Sequence, residues 1–329
     1  MAEERVLVTG GTGCIGSWIV RNLVHEGVPV VVLTEKRRFQ RLKLILADAE
    51  FDRITFVTGD ISDLATLESA SQRHGINRII HLAGMQFPFC AADPIKGALV
   101  NVVGTITIFE LAKRLGIERV VYASSAAVYG PKAHYRESTL GADAAFFPTS
   151  HYGVYKLANE QNAGVYWQND GISSIGLRPH TVYGPGRDQG VTSKPTVAMI
   201  AAAARRPYHI NFSGSYQFQF ADDAAKAFLR AARAPFQGAA VYNLGGSAFG
   251  VGEIIGCIET NEPDARGRIT FDDRPLPFPE AFDSRPIVEA LGAYAETPLE
   301  EGVRRTLDCY RAALRNGTLD EAYLDRVLA

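Results

Sequence analysis

Arg5-Val6-Leu7-Val8-Thr9-Gly10-Gly11-Thr12-Gly13-Cys14-Ile15-Gly16 is the stretch that decides the fold of this chain. Its first part, Arg5–Thr9, is an apolar run of strand length. Beyond the glycines, Ile15, Trp18, Ile19, Leu23 and Val24 recur on one helical face, and the pattern stops at Gly27. Gly10 permits a tight turn, Gly13 lets the backbone approach a pyrophosphate, and Gly16 allows close helix–strand packing. The free N–H groups at Cys14 and Ile15, with the positive end of the helix dipole, then face the phosphates. A glycine trio alone also describes an ordinary turn. Set between the first strand and the first helix, it reads as a dinucleotide cradle.

Working outward, Pro29–Leu33, Ile54–Val57, Arg78–Ala83, Arg119–Ala123 and Ser173–Leu177 are further buried strands rich in Val, Ile and Leu. Helical stretches separate them. The segment from Pro94 to Leu115 has Asp93 as its cap, Pro94 at its first position and Gly116 at its end. Repeated strand–helix–strand units require crossovers and therefore a parallel sheet. The expected fold class is α/β, a doubly wound Rossmann fold.

After Pro179 the rhythm changes. Residues 184–195 are rich in Gly and Pro without a period, as a functional loop is. A helix over Thr196–Arg206, strands near Tyr208–Phe212 and Ala240–Leu244, and a Pro-rich stretch at 274–286 follow. A last helix is signalled by the capping-box spacing of Thr297 and Glu300, with Pro298 first and Gly317 closing it. Residues 1–180 are expected to form the dinucleotide-binding domain, with parts of 215–245 returning to it. Residues 181–329 are expected to form mainly a smaller α/β substrate domain.

The chain has 329 residues, 47% hydrophobic and 21% charged, the composition of a folded globular protein. A formal net charge of −2 gives no field that would draw nucleic acid or an anionic membrane, so neither is an expected partner. Cys14, Cys90, Cys257 and Cys309 lack metal-ligand spacing and read as reduced thiols, with no metal site. Met1–Val8 carries a strand rather than a signal peptide, and no apolar run is read as membrane-spanning. A cytoplasmic location is the expectation.

The second strand should end in an acidic residue that holds the adenosine ribose. Its tip is Thr34, followed by Glu35, Lys36, Arg37 and Arg38. Glu35 suits NAD, whereas Arg37 or Arg38 suits the extra phosphate of NADP; NAD is favoured by the carboxylate beside the tip. Gly59-Asp60-Ile61 ends the third strand, where Asp60 is placed to meet the adenine.

Tyr152 and Lys156 lie at i and i+4 of a helix opening near Ser150, so they project side by side. A phenol of pKa about 10 is a poor base at neutral pH, and a neighbouring ammonium favours its ionised form. Ser124-Ser125 ends the fifth strand at the carboxyl edge, where such sheets bind ligands, and Ser125 is placed to hold a substrate oxygen against Tyr152.

With TGGTGCIG (9–16), GD (59–60), HLAG (81–84), NVVGT (101–105), SSAAVYG (124–130), YGVYK (152–156), LRPHTVYGPG (177–186) and TPLEEGV (297–303), the chain resembles the extended short-chain dehydrogenase/reductase family, the group of UDP-galactose 4-epimerase. That resemblance implies a catalytic Ser125, Tyr152 and Lys156, and a cofactor cleft lined by Ile61, Leu82, Ala83 and Gly84. It implies Asn101 as a support behind them, Pro179 and Val182 near the nicotinamide, and a homodimer built on helices 94–115 and 150–170. It also exposes departures. Members that act on nucleotide sugars carry Asn where this chain has Thr181, and a diphosphate-clamping Arg where it has Tyr216. The 4,6-dehydratases carry an acidic pair where this chain has Ala126-Ala127, which argues against dehydration.

Loss of a bidentate cation removes charge-assisted bonds of about 1.5–3 kcal/mol each, with Arg187 or Lys194 left to compensate. A small non-nucleotide sugar or polyol is therefore the leading substrate expectation, with Met85, Ser125, His180, Thr181, Arg187 and Tyr216 as its contacts and Gln217 and Gln219 alternating with Tyr216 along one strand. The leading activity is an NAD(P)-dependent oxidoreductase on a secondary alcohol. The alternative is an NAD-dependent epimerase of a sugar or nucleotide sugar, which uses the same residues. A non-catalytic cofactor sensor is the third reading, and the retained Ser125, Tyr152 and Lys156 speak against it.

Overall fold

A computed structural model describes residues 3–293 and 296–329, so Met1 and Ala2 of the expected N-terminal segment lie outside it. Seven strands form the main sheet: β1 (Val6–Thr9), β2 (Val30–Thr34), β3 (Thr55–Thr58), β4 (Arg78–His81), β5 (Arg119–Ala123), β6 (Ser173–Pro179) and β7 (Ala239–Leu244), the five inner ones largely buried and the edge strands β3 and β7 only partly so. They form one parallel sheet in the order β7-β6-β5-β4-β1-β2-β3. The expected fold class is the observed one.

Alternation along the strands divides two cores. Val6, Val8, Val30 and Val32 point to the face covered by α1 (Cys14–His25), whereas Leu7, Val31 and Leu33 point to the other. On that second face lie α2 (Leu64–Arg73), α3 (Gly104–Leu115) and α4 (His151–Asp170), which contribute Leu67, Ile108, Phe109, Leu111 and Ala163. Helix α5 (Ala221–Arg233) joins α1 on the first face, and β7 then closes the sheet edge beside β6.

The chain's second half adds a small sheet in which Ser215–Phe220 pairs in parallel with Thr181–Tyr183 and antiparallel with Ala248–Gly250. Helices Lys194–Ala203 and α6 (Leu299–Arg315) pack beside it.

The structure differs from the sequence expectation at four points. The 94–115 helix is interrupted by a π turn at Leu99–Val103, between Pro94–Ala98 and α3. The same run is long and apolar enough to cross a membrane, with mean hydropathy 1.5, although half of it is buried in the protein. Its inner residues pack on the sheet while Ile95, Leu99 and Val103 face outward, so both sides are apolar. Finally, α6 begins at Leu299 after an N-cap Pro298, and no capping box forms at Thr297. The Thr297 backbone N–H donates instead to Asp223 Oδ2 at 2.6 Å. The helix expected over 196–206 instead runs from Lys194 to Ala203, with Pro195 in its first turn.

Candidate active site

At the carboxyl end of β1 the chain turns through Gly10, whose φ is +70°. A Cβ there would stand 2.6 Å from the Ala83 nitrogen, and one on Gly16 would stand 2.1 Å from the Gly10 oxygen. Only glycine lets the turn lie against both β4 and α1. The Gly13 position meets little beyond the Gly10 oxygen, at 3.1 Å, so the backbone is open where a pyrophosphate would approach. Cys14 and Ile15 begin α1 with their N–H groups unspent on earlier turns. Burial pushes the Cys14 thiol up to about 11, so it is an uncharged neighbour for phosphate. This cradle fits a dinucleotide.

The adenosine end is marked by Thr34, whose hydroxyl donates to the Lys36 oxygen at 2.8 Å. Glu35 is exposed and pairs with Lys96 at 3.7 Å, while Arg37 lies over the Phe39 ring at 5.4 Å. Asp60 Oδ1 accepts from the Ser62 N–H and hydroxyl at 2.8 and 2.7 Å, which holds its carboxyl below the usual range. Ile61 is buried against Gly104.

The catalytic candidates converge at the ends of β4 and β5. Ser150 caps α4, its hydroxyl accepting from the Gly153 N–H at 3.1 Å. Gly153 is needed there, since a Cβ would sit 2.5 Å from the Ala127 oxygen. That approach sets Tyr152 beside Ser125, whose hydroxyl favours the ionised phenol. One turn on, Lys156 Nζ lies 5.8 Å from the Tyr152 ring centroid and donates to the Ala123 oxygen at 2.7 Å.

Burial pulls the Lys156 ammonium down to about 8. It pushes the Tyr152 phenol up, opposed by the neighbouring Ser125 hydroxyl and the Arg187 charge. Gly84 fits between Asn101 Oδ1 and Lys156 Nζ, where a Cβ would be 2.8 and 3.5 Å away. Asn101 stands behind it as a support, donating to the oxygens of Met85 and Gly97 at 3.2 and 2.9 Å.

Beneath the serine lies a buried polar network that sequence reading missed. Glu160, one further turn along α4, takes both forks of Arg178 at 2.7 Å and accepts from Ser124. Arg178 also reaches the Tyr129 hydroxyl at 2.6 Å, and Tyr129 donates to Asn243 Oδ1 at 2.6 Å. This ties α4, β5, β6 and β7 together under the site. The signal was present: 152, 156 and 160 share one helix face.

The expected substrate contacts separate into two groups. Met85 and Arg187 border the cleft: Met85 follows Gly84, which lies against Lys156, and its backbone is held by Asn101, while Arg187 faces Gln86 across Gly190. Tyr216 does not border it. It is 2% exposed, and its hydroxyl donates to the Ser213 oxygen at 3.0 Å and accepts from the Leu276 N–H at 2.7 Å. Gln217 and Gln219 are likewise spent, on the Phe282 backbone and the Gly245 oxygen.

Thr181 is buried with an unpaired hydroxyl, and Val182 belongs to the core just beyond Pro179. His180 packs edge-on against Phe282 at 4.8 Å with Nδ1 unpaired. Leu82 and Ala83 carry the chain from β4 past the glycine turn, where the Ala83 N–H donates to Thr9 Oγ1 at 3.3 Å.

His81 and His180 give a stability prediction. Burial pushes them down to about 3 and about 4, so both are neutral in the folded chain. The unfolded chain takes up these protons near the ordinary value of about 6.5, so the stability is present above that pH and is lost as pH falls below it. The pair should remove about 3 kcal/mol between pH 6.5 and 5. A urea midpoint equal at the two pH values would contradict this.

The loop after Tyr183 was expected to be functional, and it folds over the cradle. The Trp18 indole donates to the Pro185 oxygen at 3.0 Å, the Gly186 N–H donates to the Tyr310 hydroxyl at 3.0 Å, and Arg41 grips Asp188 Oδ1 at 2.6 and 3.0 Å. Arg41 and Asp188 had no sequence signal, because their meeting depends on how this loop docks.

A profile of the NAD dependent epimerase/dehydratase family matches residues 6–245. The UDP-glucose 4-epimerase of Mycolicibacterium smegmatis is 30% identical over 325 residues, covering 93% of this chain and 98% of that protein. Among solved structures, Thermotoga maritima UDP-glucose 4-epimerase with UDP-glucose superposes with a TM-score of 0.81 at 23% identity, covering 94% of this chain and 99% of that one. The Thermus thermophilus UDP-glucose 4-epimerase complex with NAD gives 0.78 at 24%, with the same coverage.

Proposed function

Since the chain belongs to the NAD dependent epimerase/dehydratase family, whose cofactor is NAD, we propose that it is an epimerase that inverts a secondary alcohol of a nucleotide sugar. This replaces the net dehydrogenase as the leading reading. The observation that carries it is the loop over the cradle, fastened through Pro185, Gly186 and Asp188. A cofactor held under such a loop is retained between the two halves of an epimerisation.

Gly10, Gly13, Cys14, Ile15 and Gly16 would hold the pyrophosphate of NAD, Glu35 the ribose and Lys156 the nicotinamide ribose. When bound, NAD supplies the hydride acceptor and returns the hydride. The protein's part is proton handling. Ser125 orients the substrate oxygen toward Tyr152 Oη, which takes the hydroxyl proton and gives it back to the same oxygen on re-reduction. Lys156 raises the acidity of that phenol.

Two further properties follow as proposals. Exposed Ile95, Leu99, Val103, Val154 and Val165, on adjacent helices, suit a homodimer contact. Four unpaired thiols suit the reducing cytosol.

The test is to purify the protein, measure bound NAD, and follow UDP-glucose by product chromatography. We expect co-purified NAD and conversion to the 4-epimer without accumulation of reduced cofactor. Cofactor-free protein that forms reduced NAD in step with product would instead establish the dehydrogenase reading.

A further inference from the structure

We propose that Arg187 is the diphosphate clamp of this cleft, gripping a phosphate oxygen of a bound nucleoside diphosphate, whether that of NAD or that of the sugar substrate. This rests on the reading of the cleft given above.

Arg187 is half-buried, and among the described residues no carboxylate pairs with its guanidinium. It donates to Thr192 Oγ1 at 3.1 Å, and its Nε has no partner. The acid best placed by sequence to neutralise it, Asp188, is spent on Arg41 at 2.6 Å and accepts from Tyr323 at 3.2 Å. A half-buried cation with no counter-charge and a buried, unpartnered Nε is costly, and an incoming oxyanion offsets the cost.

Its position selects the ligand. The charge acts on both the Cys14 thiol, at the start of α1, and the Tyr152 phenol. Geometry agrees: Arg187 stands between Gly186 and Asp188 in the loop docked on α1 through Trp18, and Arg41, which grips Asp188, also donates to the Thr12 oxygen of the cradle at 3.5 Å.

The backbone before and after it is fastened at Pro185, Gly186 and Asp188, so the fork is held in place before a ligand arrives. Space beside it is kept open by Gly190, where a Cβ would meet Arg187 Nη2 at 3.2 Å and the unpaired Gln86 Oε1 at 2.9 Å. The position where relatives carry a clamping arginine is here Tyr216, sealed by Ser213 and Leu276. An arginine fork suits two phosphate oxygens as a lysine does not.

The test uses full-length R187M and R187K, with thermal melting as the fold control and titration of NAD (after stripping) and of UDP. R187M removes the charge but keeps the apolar stem, so folding should survive. We expect R187M to lose roughly 30-fold or more in affinity for at least one of the two nucleotides, with R187K recovering only part. Loss for NAD alone assigns the clamp to the cofactor; loss for UDP alone assigns it to the substrate. Affinities of both variants within twofold of the wild type for every nucleotide the wild type binds overturn the clamp alone. A wild type that binds neither nucleotide overturns the reading of the cleft together with the clamp.

Discussion

Tyr152→Phe should lower kcat by about 10²–10⁴-fold while NAD affinity stays close to that of the wild type. The substitution removes one oxygen and leaves the ring in place beside Lys156 and Ser125. Lys156 Nζ keeps its bond to the Ala123 oxygen, and the glycine cradle is untouched. What disappears is the hydroxyl beside Ser125 that takes and returns a proton at the substrate oxygen in the proposed reaction. The measurement pairs turnover by product chromatography with NAD titration. Unchanged turnover would remove Tyr152 from the chemistry, and lost NAD binding would make its role structural.

The second large effect is expected at the Glu160–Arg178 pair, where both side chains are 3% exposed. Glu160→Gln leaves the Arg178 guanidinium buried without its counter-charge, which costs about 3–5 kcal/mol. Ser124 loses a charged acceptor at the same time, so kcat should fall along with the urea midpoint. The double replacement Glu160→Leu with Arg178→Met should recover much of the stability, because neither partner is then left alone. Recovery of stability without recovery of kcat would identify the pair as a positioning device for the β5 end. A single variant as stable as the wild type would refute the assignment.

Much of the site was legible because its encoding is local. The i, i+4 spacing of Tyr152 and Lys156 needs only a helix, and Ser150 and Gly153 start that helix where it must approach Ser125. The same spacing reaches Glu160, so the network beneath the site was written one turn further along. The replacement of a clamping arginine by Tyr216 was also visible, but not its consequence. A tyrosine on an alternating strand reads equally as a pocket donor or as a core residue. The carbonyl of Ser213 and the N–H of Leu276, 60 residues away, decide for the core.

By itself, then, the sequence determined the parallel sheet, the glycine turn at the carboxyl end of β1 and the Ser125, Tyr152 and Lys156 constellation. Each follows from strand burial, glycine sterics or helix period, all set within a few residues. Only the tertiary structure decided how the loop after Tyr183 docks, through pairs such as Arg41 and Asp188, separated by 147 residues. That docking consumes Asp188 and leaves the charge of Arg187 unpaired in the cleft. The electrostatics of the site depend on which buried charges find partners, and partners so distant in sequence are chosen by packing.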